Sequence, residues 1–115
     1  MAKRYCQTIE LKEDTRLIEE YKYWHQPGNA WKEVISGIKE VGILEMEIYI
    51  HNNKLFMIIE VTDDFDWDRQ MSRLAGLPRQ AEWEEFVSKY QKTLPDATSD
   101  EKWQMMDQIF KLTDC

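Results

Sequence analysis

A tyrosine and a histidine stand four residues apart in the stretch EEYKYWHQP, at positions 21 and 25. Side chains at this spacing lie on one face of a helix. An imidazole, with an unperturbed pKa near ~6.5, can accept or donate a proton at neutral pH, and a neighbouring phenol can orient a substrate hydroxyl. Tyr21 and His25 are therefore a candidate pair for general acid and base catalysis. Spacing alone also allows a buried structural histidine whose nitrogens are satisfied within the fold.

The dipeptide Glu82-Trp83 has the composition of a sugar-binding surface. An indole ring offers apolar area to the C–H face of a sugar, while adjacent carboxylate, phenol or imidazole groups can bind its hydroxyls. The alternative is a core tryptophan, because aromatic residues at helical spacing pack in cores more often than they bind ligands. The chain has five tryptophans, and most of them are expected to be core residues.

Other motifs do not indicate metal, phosphoryl-transfer or acyl-transfer chemistry. The acidic run DDFDWD, residues 63–68, lacks the spacing, glycine and terminal glutamate of a calcium loop and is typical of a helix start. The sequence contains no glycine-rich phosphate loop, no GxSxG motif and no Cys/His nucleophile arrangement. His51 directly precedes an Asn-Asn turn, where polar residues are common.

The residues around the Tyr-His pair predict a helix that ends beside the histidine. Asp14 is a candidate N-cap, apolar residues recur at helical spacing up to position 25, and Pro27 disfavours helical angles at Gln26. Both candidate catalytic side chains therefore belong to the last turn of this first helix.

Three further helices are predicted from the spacing of apolar residues. One is capped by Asn29 and stops at Gly42, one opens within DDFDWD and continues to Leu74, and one carries Trp83 and ends near Lys92. Each would bury one apolar stripe against the rest of the molecule.

Strands are predicted at residues 4–11, 43–50, 54–61 and 102–112. The second places Leu44, Met46, Ile48 and Ile50 on one face, and a two-residue Asn-Asn turn joins it to the third in a hairpin. The last segment, KWQMMDQIFKL, fits a helix nearly as well, and the strand is preferred because it completes a pattern.

That pattern is strand, helical crossover, hairpin, helical crossover, strand. It predicts an α+β fold of the ferredoxin-like split βαβ type with a four-stranded antiparallel sheet, in a single domain over residues 1–115. Both faces of the hairpin strands carry apolar residues, whereas helices cover one face only in this topology. The second face is therefore expected to meet another copy of the chain in a homodimer of the dimeric α+β barrel type.

Composition excludes several classes of partner. The net charge is −7 and no cluster of Lys or Arg offsets it, so the chain would repel nucleic acid and anionic membrane surfaces. The N-terminal stretch MAKRYCQTIEL has no apolar run long enough for a signal peptide or a membrane span, which indicates a cytoplasmic protein.

Taken together, RYCQTIEL, EEYKYWHQP with a nearby Trp, GILEMEIYIHNNKLFMIIEV and EWEEFVSKYQKTLP resemble the L-rhamnose mutarotase family, including members thought to act on L-fucose. The resemblance runs over nearly the whole chain. It implies a dimeric α+β barrel enzyme that interconverts the α and β anomers of a 6-deoxy-hexose without a metal or cofactor.

The family's Tyr-x-x-x-His motif matches Tyr21 and His25, which implies that His25 is the catalytic proton donor and that Tyr21 contacts the sugar. Rhamnose-type members have a substrate-contacting Tyr where this chain has Met46, and a tandem Trp pair where it has Glu82 and Trp83. We hypothesise that His25 serves the ring oxygen, with Tyr21 or a bound water at the anomeric hydroxyl and Trp83 packed against the sugar. The competing class is a non-catalytic, haem-binding or quinol-oxidising barrel, because the same fold supports all of these.

Overall fold

The computed structural model describes residues 3–92 and 102–114. Its elements are β1 (Lys3–Glu10), α1 (Thr15–Trp24), α2 (Lys32–Glu40), β2 (Ile43–His51), β3 (Lys54–Val61), α3 (Trp67–Ala75), α4 (Gln80–Ser88), β4 (Gln104–Met105) and a 3-10 turn at Leu112–Asp114. In this described part of the chain, no helix combines the length and the apolar content needed to cross a membrane.

The four strands form one antiparallel sheet in the order β2-β3-β1-β4. This is the order of the split βαβ fold, so the predicted α+β, ferredoxin-like class is confirmed. The two central strands are β1 and β3, which pair along their whole length from Lys3 opposite Val61 to Glu10 opposite Lys54. Helix α1 follows the central strand β1 after a short connection over residues 11–14.

The helix starts follow local capping. Asp14 caps α1 as predicted, because its Oδ1 accepts hydrogen bonds from two backbone N–H groups of the first turn at 2.9 and 3.2 Å. The prediction for Asn29 is wrong: Trp31 is the N-cap of α2 and makes no side-chain cap hydrogen bond. Asn29 Nδ2 instead donates to the Tyr23 carbonyl at 2.9 Å, so this residue closes the end of α1.

A bulge in β2 corrects one predicted strand face. The pairing with β3 shifts between Ile43 and Glu45, so that Ile43 lies opposite Val61 and Met46 opposite Ile59. Ile43 is consequently buried on the face that Leu44 was predicted to share with Met46, whereas Leu44 is 59% exposed. An extra residue in one strand moves the preceding side chains to the other face, and alternation in the sequence does not reveal it.

Two predicted elements are shorter than expected. Helix α4 ends at Ser88 and not near Lys92, because Gln91 forms an antiparallel bridge with Leu11 beside β1. Of the predicted strand 102–112, only Gln104–Met105 pairs, with Thr8 and Gln7 of β1. The apolar residues that follow it are exposed, among them Ile109, Phe110 and Leu112.

The core lies on the face of the sheet that the helices cover. Leu55, Met57, Ile59 and Val61 of β3 point into it and are each at most 7% exposed. The alternate β3 residues Phe56 and Ile58 lie on the opposite face and are only half-buried.

Candidate active site

The end of α1 places the predicted catalytic pair. His25 is the C-cap residue, and its backbone N–H donates to the Lys22 carbonyl at 3.1 Å. Its ring stacks on the ring of Tyr21, one turn earlier, with centroids 4.2 Å apart and an interplanar angle of 29°. The two side chains are therefore held together, as the spacing predicted.

The hydrogen bonding of His25 fixes its tautomer. Its Nδ1 lies 2.7 Å from the carbonyl oxygen of Tyr21. Because a carbonyl can only accept, Nδ1 carries the proton, and Nε2 of the neutral ring keeps its lone pair. Burial lowers the pKa of His25 below 6.5, and the bond to the Tyr21 carbonyl only partly opposes this effect. At neutral pH the side chain is thus a base and not an acid.

A cavity of about 430 Å³ opens beside this pair, between the helix-covered face of the sheet and the helices. Tyr21, His25, Met46 and Trp83 all line it, so four of the five predicted site residues meet at one cavity. Its volume falls in the range of pockets that bind small molecules. Most of its wall is apolar, and polar side chains reach it at a few positions, among them Gln7, Glu84 and Gln91.

Trp83 forms an aromatic wall next to the histidine. Its ring centroid lies 5.4 Å from that of His25 and 5.1 Å from that of Trp31, both in edge-on geometry, and 5.9 Å from that of Phe86. Trp83 thus packs against the core and lines the cavity at the same time, and its contact with a sugar stays a prediction.

Tyr21 is buried, and burial raises the pKa of its phenol. The carboxylate of Glu84 raises this pKa further, whereas a hydrogen bond from the Gln91 side chain acts in the opposite direction. Tyr21 is consequently a neutral phenol at physiological pH, able to donate its proton in a hydrogen bond.

Glu82 lies apart from the other four predicted residues. Its side chain is 66% exposed and forms an ion pair with Arg79 at 3.6 Å. The carboxylates on the cavity wall are those of Glu45 and Glu84, and Oε2 of Glu84 is 3.8 Å from Nζ of the buried Lys102. A contact between Glu82 and a bound sugar stays a prediction.

Sequence reasoning missed the polar residues on the cavity wall, which include Gln7, Lys39 and Glu45 and a group of three further along the chain, Gln80, Glu84 and Gln91. The last three follow one another at positions i, i+4 and i+11, which is the period of one helix face continued past the end of α4. These polar residues share a helix face with Val87 and Trp83, and their position on that face is the sequence feature that could have identified them.

Within residues 3–92 and 102–114, no group of three or more His, Cys, Asp or Glu side chains is arranged to hold a metal ion.

The fold is shared with two solved structures of low sequence identity. The L-rhamnose mutarotase of Formosa agariphila superposes with a TM-score of 0.71 at 22% identity, covering 95% of this chain and 97% of that one. Tetracenomycin F2 cyclase of Streptomyces glaucescens, a type-II polyketide cyclase, superposes with a TM-score of 0.51 at 16% identity, with the same coverage. These likenesses support the α+β barrel fold alone.

Sequence comparison identifies a relative of higher identity and a matching family model. An L-fucose mutarotase of Xanthomonas campestris pv. campestris is 36% identical over 111 residues, which is 96% of this chain and 89% of the relative. The family model described as L-rhamnose mutarotase matches residues 4–112. The expectation of a sugar mutarotase is confirmed, and the chain belongs to the L-rhamnose mutarotase family.

Proposed function

We propose that this protein interconverts the α and β anomers of a 6-deoxy-L-hexose, with L-fucose as the first candidate and L-rhamnose as the second. The observation that carries the proposal is the geometry of His25, whose Nδ1 donates to the Tyr21 carbonyl and leaves Nε2 as a base at the cavity. The relative named an L-fucose mutarotase sets the order of the two sugars.

The walls of the cavity suit a sugar of this class. Trp83 offers an apolar surface to a C–H face, and Met46 and Ile48 of β2 add apolar wall to the same cavity. A 6-deoxy sugar carries a methyl group where other hexoses carry a hydroxymethyl group, so an apolar wall accepts it without burying an unpaired hydroxyl. We assign the methyl contact to Met46 and the ring contact to Trp83.

His25 can serve both proton transfers of the reaction. Nε2 of the neutral imidazole takes the proton of the anomeric hydroxyl, the bond from C1 to the ring oxygen breaks, and C1 becomes an aldehyde. The imidazolium then gives that proton to the ring oxygen, which lay on the same carbon. The aldehyde rotates about its bond to C2 and closes on its other face by the reverse steps, so no net proton is consumed. His25 still protonates the ring oxygen, but only after it has acted as a base.

The test is saturation transfer by NMR between the anomeric protons of L-fucose and of L-rhamnose at neutral pH. His25→Asn keeps a side-chain N–H for the Tyr21 carbonyl and removes Nε2, so catalysed exchange should fall by roughly 10²–10⁴-fold. His51→Asn, at the exposed end of β2, is the matched control and should retain wild-type exchange. Wild-type rates in a folded His25→Asn variant would refute the mechanism.

We further propose that the chain is a homodimer in which the second face of the sheet is covered by another copy. Phe56 and Ile58 give this face an apolar strip, and Ile109, Phe110 and Leu112 offer further apolar area after β4. Light scattering after size exclusion should give twice the chain mass, and Ile58→Lys should lower it. A monomeric wild type would contradict this proposal.

A further inference from the structure

Gln91 brings a polar group to the cavity that the proposed reaction does not use. Its side chain lines the cavity, and the residue is only 3% exposed. In the part of the chain that the structure describes, its Oε1 is a buried acceptor without a hydrogen-bond partner. Buried polar atoms are nearly always paired, so a donor is expected to come from the cavity.

The backbone holds Gln91 firmly in place. Its N–H donates to the Ser88 carbonyl at 3.2 Å, and the residue bridges Leu11. On either side of it, Lys12 N–H donates to the Tyr90 carbonyl and Lys92 N–H to the Glu10 carbonyl, each at 2.9 Å. The backbone of Gln91 is thus fixed, and its side-chain N–H also donates to the Tyr21 phenol. These contacts hold the amide group in place, which is what selective recognition of a ligand requires.

We propose that Oε1 of Gln91 accepts a hydrogen bond from one hydroxyl group of the bound sugar, which makes Gln91 a specificity-determining residue. This inference rests on the proposed function, because it takes the occupant of the cavity to be a sugar. Neither the ring oxygen nor the methyl group of a 6-deoxy sugar can donate, so the partner of Oε1 is one of the ring hydroxyls. A sugar that lacks this hydroxyl leaves the acceptor unpaired and is rejected.

The experiment compares the binding of L-fucose with that of its 2-deoxy, 3-deoxy and 4-deoxy derivatives by sugar-dependent thermal stabilisation. Wild-type protein should bind one derivative roughly tenfold more weakly than L-fucose because of the lost hydrogen bond. Gln91→Met should weaken L-fucose binding by a similar factor and abolish discrimination against that derivative alone.

A matched control exists in α3. Oε1 of Gln70 is also buried without a partner among the described residues, but Gln70 is not on the cavity wall. Gln70→Met should therefore leave every binding ratio unchanged. Gln91→Glu, which keeps an acceptor oxygen, should retain discrimination, and it serves as the test if Gln91→Met does not fold.

Unchanged ratios across all derivatives in Gln91→Met, or lost discrimination in Gln91→Glu, would overturn the role of Gln91 and leave the proposed function standing. Wild-type protein that binds sugar without accelerating anomer exchange would overturn the proposed function, while the binding ratios still decide the role of Gln91. Wild-type protein that binds none of these sugars would overturn both.

Discussion

Gly37 is a position where one added methyl group should disturb the cavity wall. A Cβ on this residue of α2 would lie 2.6 Å from Nε2 of Gln80 and 3.4 Å from a methyl carbon of Leu77. The Gln80 amide has little freedom to move, because the residue is 5% exposed and Nε2 donates to the Val34 carbonyl at 2.9 Å. Gly37→Ala must therefore push the Gln80 amide away from Val34, which breaks that hydrogen bond, and the added methyl group also crowds Leu77.

The cost can be worked from these contacts. Overpacking contributes about 1–3 kcal/mol, and a buried amide left without its partner contributes about 1–3 kcal/mol. The better helix propensity of alanine returns about 1 kcal/mol. We expect a net loss of about 3 kcal/mol in the free energy of unfolding, which corresponds to a fall of roughly 10 °C in the melting temperature of a domain of this size.

Differential scanning calorimetry of Gly37→Ala measures this effect, with Gly76→Ala as the control. A Cβ on Gly76 would meet no neighbour nearer than 3.7 Å, so that variant should unfold within a few degrees of the wild type. In a Gln80→Ala background the methyl group of Gly37→Ala has room, and the penalty should largely disappear. A Gly37→Ala protein as stable as the wild type, or a penalty that persists without the Gln80 amide, would refute the reasoning.

Two further predictions concern α1. Because burial lowers the pKa of His25 below 6.5, the imidazole is neutral at pH 7, and catalysed anomer exchange should fall only on acidification through that lowered pKa. A rate that rises as the pH drops below 6.5, measured by saturation transfer and corrected for uncatalysed exchange, would show that the imidazolium form is the active one. Asp14→Ala removes the cap of α1 and should cost about 1 kcal/mol in denaturant unfolding. Asp107→Ala, at an exposed position outside the helices, is the comparison, and equal losses would argue against the capping role.

The sequence predicted the architecture well because its signals are local. The alternation of β3, that of β2 from Met46 onward, the Asn-Asn turn and the Asp14 cap each depend on neighbouring residues, and the structure confirms all of them. The bulge at Ile43 and the length of β4 depend on the partner strand, so spacing along the chain could not reveal them.

The site residues also divide into those that local spacing predicts and those whose position depends on tertiary packing. The pairing of Tyr21 with His25 follows from helical spacing alone. Which of Glu82 and Glu84 faces the cavity depends on the rotation of α4 about its axis, and adjacent helix residues differ in direction by about 100°. That rotation is set by the burial of Val87 and Gln80 against the rest of the fold, which is a tertiary property.

The last turn of α1 acts on His25 in two opposing ways. The Tyr21 carbonyl accepts the Nδ1 proton, and the negative end of the helix dipole lies at the same place, so both favour a charged imidazolium. Burial against Trp83 and Tyr21 favours the neutral ring. This effect is the larger one, and the pKa of His25 is lowered as a result. A fully exposed helix end would give an acid, and a buried ring without the carbonyl would leave the tautomer undefined. The combination gives a neutral base with its lone pair at Nε2, which is the form that ring opening of a hemiacetal needs first.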